Sequence, residues 1–196
     1  MISRSLARPA HMRLARRFAS LYAAPDDRAY EAVEVRETRS IGRALVAVKV
    51  VHADEPVLTF RAKVAAVKSR FSVQVGRDEH TSCKDDQIFM YMNHSCKPTC
   101  RLALVSREGA GASGEVEVAV VARRELSPGE PVTFDYNTTE WAMAEPFTCN
   151  CATSHKCTVG GASAFSADER ERWLCGPNGG HAWAHITQLL AEAGSH

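Results

Sequence analysis

The sequence predicts a mainly β domain with short helices, an α+β arrangement, and three observations carry that prediction. β-Branched segments recur at short intervals, turn residues separate them, and helical spacing is confined to the stretch Ala167–Ala193. Tyr30–Val35 and Ala44–Val51 read as strands joined by a tight connection at Ser40-Ile41-Gly42-Arg43, where glycine admits backbone angles closed to other residues. Pro56–Phe60 and Phe71–Val75 continue the series. Asp85–Asn93 is weakly periodic and reads as a short helix or turn. Arg101–Val105 and Glu115–Val121 alternate on either side of the glycine-rich run Glu108–Gly114, as a hairpin does. Ser127-Pro128-Gly129-Glu130 is a turn before the strand Val132–Tyr136. Beyond it, Ile186, Leu189 and Leu190 mark helical spacing, which Gly176-Pro177-Asn178-Gly179-Gly180 interrupts.

The chain has 196 residues, 45% of them hydrophobic, which suits one domain with short appendages. No apolar run approaches the roughly 18 residues that would span a membrane, so no membrane partner is expected. The net charge of +1 hides an asymmetry: residues 1–25 hold five arginines and no acid, leaving 19 basic against 23 acidic residues, a net of −4. An acidic body without a basic stripe argues against generic nucleic-acid binding. Residues 1–28 are Arg-rich, Ser/Ala-rich and acid-poor, the composition of a mitochondrial presequence, with Arg16-Arg17-Phe18-Ala19-Ser20 resembling a processing site. A basic tail on a nuclear or cytoplasmic protein is the alternative. The oligomeric state is not legible.

Three ordered segments carry the chemistry: Gly42-Arg43-Ala44-Leu45, Tyr91-Met92-Asn93-His94-Ser95-Cys96, and Glu125–Tyr136 with its Gly129-Glu130 and Phe134-Asp135-Tyr136. Taken singly, each has a plain structural reading, as a turn glycine, a hydrogen-bonded loop or a strand end. Cys149, Cys151 and Cys157 follow. Three cysteines so close cannot all pair with one another, whereas zinc takes four ligands tetrahedrally. An odd total of seven cysteines also argues against a disulfide framework.

In this order and company, the segments resemble the SET-domain lysine methyltransferases over roughly residues 30–160. The resemblance implies a cluster of small sheets with knot-like C-terminal threading, a SET domain over 30–137, a post-SET zinc segment over 138–162 and a helical tail over 163–196. It implies S-adenosylmethionine as cofactor and a protein or peptide bearing the target lysine as partner. Asn93 and His94 would face the cofactor along with Tyr91, Gly42, Arg43 and Ala44 would approach its methionine part, and Phe147 would pack near its adenine. Tyr136 would be the catalytic tyrosine, with Phe134 and Trp141 on the lysine channel. One structural zinc would be held by Cys96, Cys149, Cys151 and Cys157, with His155 and Cys100 as competing ligands and Cys83 and Cys175 as ordinary thiols. Such chemistry suits a protein, because in-line methyl transfer gains most from alignment, and burial of the lysine favours its neutral, nucleophilic form.

The chain departs from the family pattern at Ala44, where a second glycine is usual, and at Met90, where an arginine is frequent. Five residues separate Cys151 from Cys157 where four are usual, and the insert before Asn93 is short. These departures keep open a second reading, a catalytically idle SET module that binds peptide or cofactor. A bare zinc-binding interaction protein would leave Gly42 and Phe134–Tyr136 without a role.

Overall fold

The computed structural model describes residues 30–38, 42–82, 88–109, 114–151 and 158–194. Strands dominate, in one five-stranded sheet and three two-stranded ones. The first pair is the hairpin β1 (Val33–Thr38) and β2 (Gly42–Ala47), with Val33 opposite Ala47 and Thr38 opposite Gly42. Gly42 has φ +72, the left-handed region in which a side chain would be strained. The hairpin lies three residues later than expected at β1 and ends sooner at β2. After Ala47 the turn at Ser127–Glu130 takes over the backbone pairing (Gly129 N–H to Ala47 O, 2.7 Å), and Val48 and Val50 emerge to solvent.

The large sheet runs β4-β5-β3-β8-β7. β3 (Pro56–Ala65) extends five residues past the expected end because Arg61 and Lys63 point outward while Ala62 and Val64 point in, a period of two. β7 (Cys100–Glu108) and β8 (Glu115–Ala122) form the expected hairpin. β8 is buried on both faces: Val116, Val118 and Val120 enter the main core, and Ala119 and Val121 form a second layer with Ala103 and Val105. β4 (Gln74–Gly76) and β5 (Glu79–Thr81) make a tight hairpin against the β3 edge. Phe71 stays outside it, 42% exposed in a Ser69–Ser72 turn.

The element that organises the site is a short parallel ladder between β6 (Asn93–His94) and β9 (Thr133–Phe134). Parallel partners cannot be joined by a tight turn, and here the whole β7–β8 hairpin intervenes. Thr99 and Thr133 lock the crossing by donating backbone N–H groups to each other's hydroxyls at 3.1 and 2.9 Å. Before β6, the 3-10 helix Ile88–Tyr91 stacks Phe89 on Phe60 with ring centroids 3.8 Å apart.

After β9 the strand stops. Asp135 caps a 3-10 turn at Tyr136–Thr138, its carboxylate accepting from Asn137 N–H. A small pair follows, β10 (Phe147–Thr148) with β11 (Thr158–Val159). The tail forms α1 (Ala167–Cys175), opened by a Ser166/Glu169 capping box, and α2 (Ala184–Ala193), which buries Ile186, Leu189 and Leu190. Trp183 leaves the tail altogether, enters the main core and donates its indole N–H to Leu102 O at 3.0 Å. Among the described residues no helix is long and apolar enough to cross a membrane.

Candidate active site

Tyr136 sits where β9 ends, half-buried, its hydroxyl donating to Met92 O at 2.7 Å. Its ring contacts Phe134 (4.7 Å between centroids) on one side and the edges of His94 (5.3 Å) and Phe147 (6.1 Å) on the other. Burial pushes the phenol up to about 12, so it is a neutral donor at ordinary pH. On the Phe134 side lies a cavity of about 40 Å³, walled by Phe89, Met90, Met92, Phe134 and Tyr136, touched by Glu140 and bordered by the segment 69–73 with its Ser69, Arg70 and Ser72. Space of that size holds a few small atoms, the tip of a side chain and not a folded ligand.

The opposite side is an exposed ledge. Gly42 and Arg43 are exposed at the start of β2, and no atom lies within 4 Å of where a Gly42 Cβ would stand. Arg43 donates to the Tyr91 hydroxyl at 2.9 Å with its guanidinium 4.7 Å from that ring's centre. The Asn93 amide donates to Arg43 O at 3.1 Å, tying β2 to β6. Phe147 is 38% exposed and meets His94 edge to face with ring centroids 6.0 Å apart. Gly42, Arg43, Tyr91, Asn93 and Phe147 thus all lie outside the cavity. Ala44 differs: it is 1% exposed, so its methyl group fills the interior and does not crowd the ledge.

His94 connects the two halves. Its side chain is almost fully buried, and burial lowers its pKa, with the charge of Asp135 opposing. Its Nδ1 accepts the backbone N–H of Tyr136 at 3.2 Å. A neutral imidazole that accepts at Nδ1 carries its proton on Nε2, and Nε2 lies 3.4 Å from Cys96 Sγ. His94 therefore fixes the Tyr136 backbone while directing an N–H at the sulfur. Asp135, 3% exposed, accepts from Asn137 (N–H 3.1 Å, Nδ2 2.9 Å), Trp173 Nε1 (3.0 Å) and Asn178 Nδ2 (2.9 Å). Four donors satisfy a carboxylate that burial would otherwise penalise.

The ligand atoms of His94, Cys96 and Cys149 all lie within 4.8 Å of one another. Cys151 joins them through its backbone N–H, which donates to Cys149 Sγ at 3.2 Å. Cys157 and the competing ligand His155 lie outside the described residues, as do Cys83 and residues 1–28. Cys100 is fully buried and is not among the residues whose ligand atoms converge with those of His94, Cys96 and Cys149. Cys175 is exposed.

Trp141 is a correction. It does not line the cavity. Its backbone N–H is held by Gln74 Oε1 at 2.7 Å, which turns the ring toward Ala162, Ile186 and Leu190 in the tail cluster. Glu140, its neighbour in sequence, takes the place at the cavity. Nothing marked Glu140 beforehand, since a lone glutamate in a turn reads as solvated. The tail's part was equally hidden: Asn178 bridges Asp135 and the Cys96 carbonyl (3.1 Å), and Arg123 in turn holds Asn178 Oδ1 at 2.6 Å.

Residues 21–137 match the family model described as SET domain. Methyltransferase flvH of Aspergillus flavus is 32% identical over 129 residues, which is 65% of this chain and 62% of that protein. Histone-lysine N-methyltransferases ASHH2 and ASHR3 of Arabidopsis thaliana are each 35% identical over 65 residues, 33% of this chain but only 3% and 12% of those proteins. The crystal structure of KRYPTONITE in complex with mCHG DNA and SAH superposes with a TM-score of 0.51 at 18% identity, covering 63% of this chain and 27% of that one, a likeness of fold. With the match running through more than half of its length and the same stretch forming the β6–β9 ladder and the Tyr136 turn, this chain belongs to the SET-domain family.

Proposed function

We propose that the chain is a protein-lysine N-methyltransferase that uses S-adenosylmethionine, with the ledge holding the cofactor and the Tyr136 cavity admitting the lysine tip. One observation carries the reading: Tyr136 lines a small cavity with its hydroxyl tethered to Met92 O, next in sequence to Tyr91 and Asn93 of the exposed ledge. Gly42 leaves open space beside β2, and Arg43, Tyr91 and Asn93 supply polar groups along it. When bound, the cofactor supplies an electrophilic sulfonium methyl group. Tyr136 then orients the incoming amine, and the cavity walls exclude water from it. The printed names of the fungal and plant relatives support methyl transfer. The chain spans less than two thirds of their lengths, so their substrates are not carried over.

The tail segment 138–162 would hold one zinc through Cys96, Cys149, Cys151 and Cys157. The donor chemistry fits: two sulfurs and an imidazole already converge, and N–H groups from Cys151 and His94 point at sulfur, as they do toward thiolates. With its proton on Nε2, His94 acts as a donor to Cys96 and leaves the fourth position to a thiolate. Residues 1–28 would direct the chain to mitochondria, and a non-histone target would follow. A reporter fused to residues 1–28 that stays diffuse in the cytosol would end that address.

The direct experiment is transfer of labelled methyl from S-adenosylmethionine to candidate peptides and lysates. Tyr136→Phe is expected to lower kcat on the order of 100-fold, the scale of losing one oriented hydrogen-bonding group. Cofactor binding without transfer to any lysine would favour the idle module. Metal analysis should find one zinc per chain, lost together with cofactor affinity in Cys149→Ser; a folded, metal-free wild type would sink the zinc assignment.

A further inference from the structure

Glu140 is the one carboxylate among the residues that line the Tyr136 cavity, and it is 7% exposed. Its surroundings hold it firmly. Oε1 accepts the Gln74 backbone N–H at 2.7 Å, the Glu140 N–H donates to Tyr136 O at 2.9 Å, and the Glu140 carbonyl accepts from Ala162 N–H at 2.9 Å. Gln74 is fixed in turn, its side chain accepting from Trp141 N–H (2.7 Å) and donating to Gly76 O and Arg77 O (2.9 and 2.8 Å). Two elements distant in sequence, β4 and the turn after β9, are thus clasped so that a carboxylate stands at the wall of a cavity whose inner part is formed by the rings of Phe89, Phe134 and Tyr136 and the thioethers of Met90 and Met92, with Ser69, Arg70 and Ser72 on its rim.

Such a placement is costly to the fold. Burial raises this carboxyl to about 7, with the Gln74 hydrogen bond and the charge of Lys68 opposing. The charged and titratable groups around it are Lys68 and Arg70 on the segment between β3 and β4, and Tyr136 one turn earlier. His80 lies behind Gln74, and His185 is bonded to the Thr139 carbonyl. Lys68 is occupied by Ala142 O at 3.1 Å and Arg70 lies 3.7 Å from Glu145. A buried acid held apart from a close cationic partner is what a site for a cation requires.

We propose that Glu140 is the carboxylate that draws the substrate's ammonium group into the Tyr136 cavity and accepts its proton. In that step an N–H bond of the ammonium breaks and its electron pair remains on nitrogen as the lone pair. The proton forms an O–H bond on Glu140, and total charge is unchanged. The neutral amine is left beside the Tyr136 hydroxyl, where methyl transfer is to occur. The inference rests on the lysine methyltransferase reading for its consequence in turnover, but ammonium recognition stands on the cavity alone.

The test uses the full chain and the near-isosteric Glu140→Gln, whose amide oxygen can still accept from Gln74. The first readout is binding of n-butylammonium, a mimic of the lysine tip, followed at pH 8 through the Met90 and Met92 methyl signals, with neutral 1-pentanol as control. Glu140→Gln should weaken n-butylammonium by at least 10-fold and leave 1-pentanol unchanged; equal n-butylammonium affinity in both proteins would overturn the proposal. The second readout is kcat against pH. The variant should lose on the order of 100-fold at neutral pH, the range for a removed proton acceptor. It should also lose the acid limb that the wild type shows near pH 7; an unchanged profile would overturn the proton-accepting role.

Stability provides the third. Because the folded-state pKa is raised, the penalty of the buried charge is absent below the ordinary carboxyl range and grows as pH rises toward 7. Glu140→Gln should therefore melt higher than wild type at pH 8 and not at pH 4. A variant that melts lower at pH 8 would mean that the carboxylate serves packing. If n-butylammonium discriminates while the wild type transfers no methyl group, it is the methyltransferase reading that fails.

Discussion

The two sides of Tyr136 are built differently. The cavity side is enclosed by the segment 69–73, the Ile88–Tyr91 turn, β9 and the Glu140 clasp; of its walls, Val73, Phe89, Met92 and Phe134 belong to the main core, and Met90 and Tyr136 pack against it. The ledge side consists of the exposed start of β2, Tyr91, and Phe147 on a two-residue strand. The inner cavity wall is held by the same residues that hold the fold, whereas on the ledge Gly42, Arg43 and Phe147 are exposed and Tyr91 alone packs against the core. Geometry that must be fixed before a substrate arrives is best made from core; under the function proposed above, the ledge would gain its order from cofactor and metal and can be made from loop ends. The C-terminal tail stands with the cavity side: Trp183 is in the core, and Trp173 and Asn178 hold the Asp135 carboxylate from which the Tyr136 turn starts.

Substitutions can break this division. The largest effect is expected at Trp183→Ala, which removes a core indole and its bond to Leu102 O; the loss should be about 3–5 kcal/mol in denaturant unfolding. A loss under 1 kcal/mol would mean that the tail is not part of the domain. Asn178→Ala strips one donor from buried Asp135 and one from the Cys96 carbonyl, and should cost about 1–3 kcal/mol. It should also lower kcat through the Tyr136 turn while leaving cofactor affinity near wild type. Equal losses in kcat and cofactor affinity would erase the boundary between the two sides.

Arg43→Ala should have the smallest effect on stability, within about 0.5 kcal/mol for an exposed site. Calorimetric titration with S-adenosylmethionine should nevertheless register weaker binding, about 10-fold if one charge-assisted contact is lost. If its melting temperature falls as far as that of Asn178→Ala, the ledge is as much a part of the core as the cavity is.

Local chemistry explains what was legible. Alternation at Arg101–Val105 and Glu115–Val121 announced the β7–β8 hairpin because one face of each strand had to be buried. The strand Val132–Tyr136 was read too long, since Asp135 turns its carboxylate back onto Asn137 N–H and ends β9 at Phe134. β5 escaped notice because Glu79-His80-Thr81 has no apolar signature; its strand exists through pairing with β3 and β4. β3 was read short because Ala62 is a weak strand former, and only the cover on its inner face makes Arg61–Ala65 alternate.

By itself the sequence determined the mainly β class, the ordered motifs around Gly42, Asn93–Cys96 and Phe134–Tyr136, and the family these imply. The family resemblance also implied that Cys149 would meet the Asn93–Cys96 run, where the ligand atoms of His94, Cys96 and Cys149 do converge. The tertiary structure decided which neighbour of the Tyr136 turn faces the cavity, Glu140 and not Trp141. It also decided that a tail of unassigned role would anchor Asp135. Both outcomes depend on partners roughly 40 to 65 residues away, Gln74 for Glu140 and both Trp173 and Asn178 for Asp135. A hydrogen bond across that separation leaves no period or spacing in the chain, because what selects it is the cost of burying an unpaired polar group.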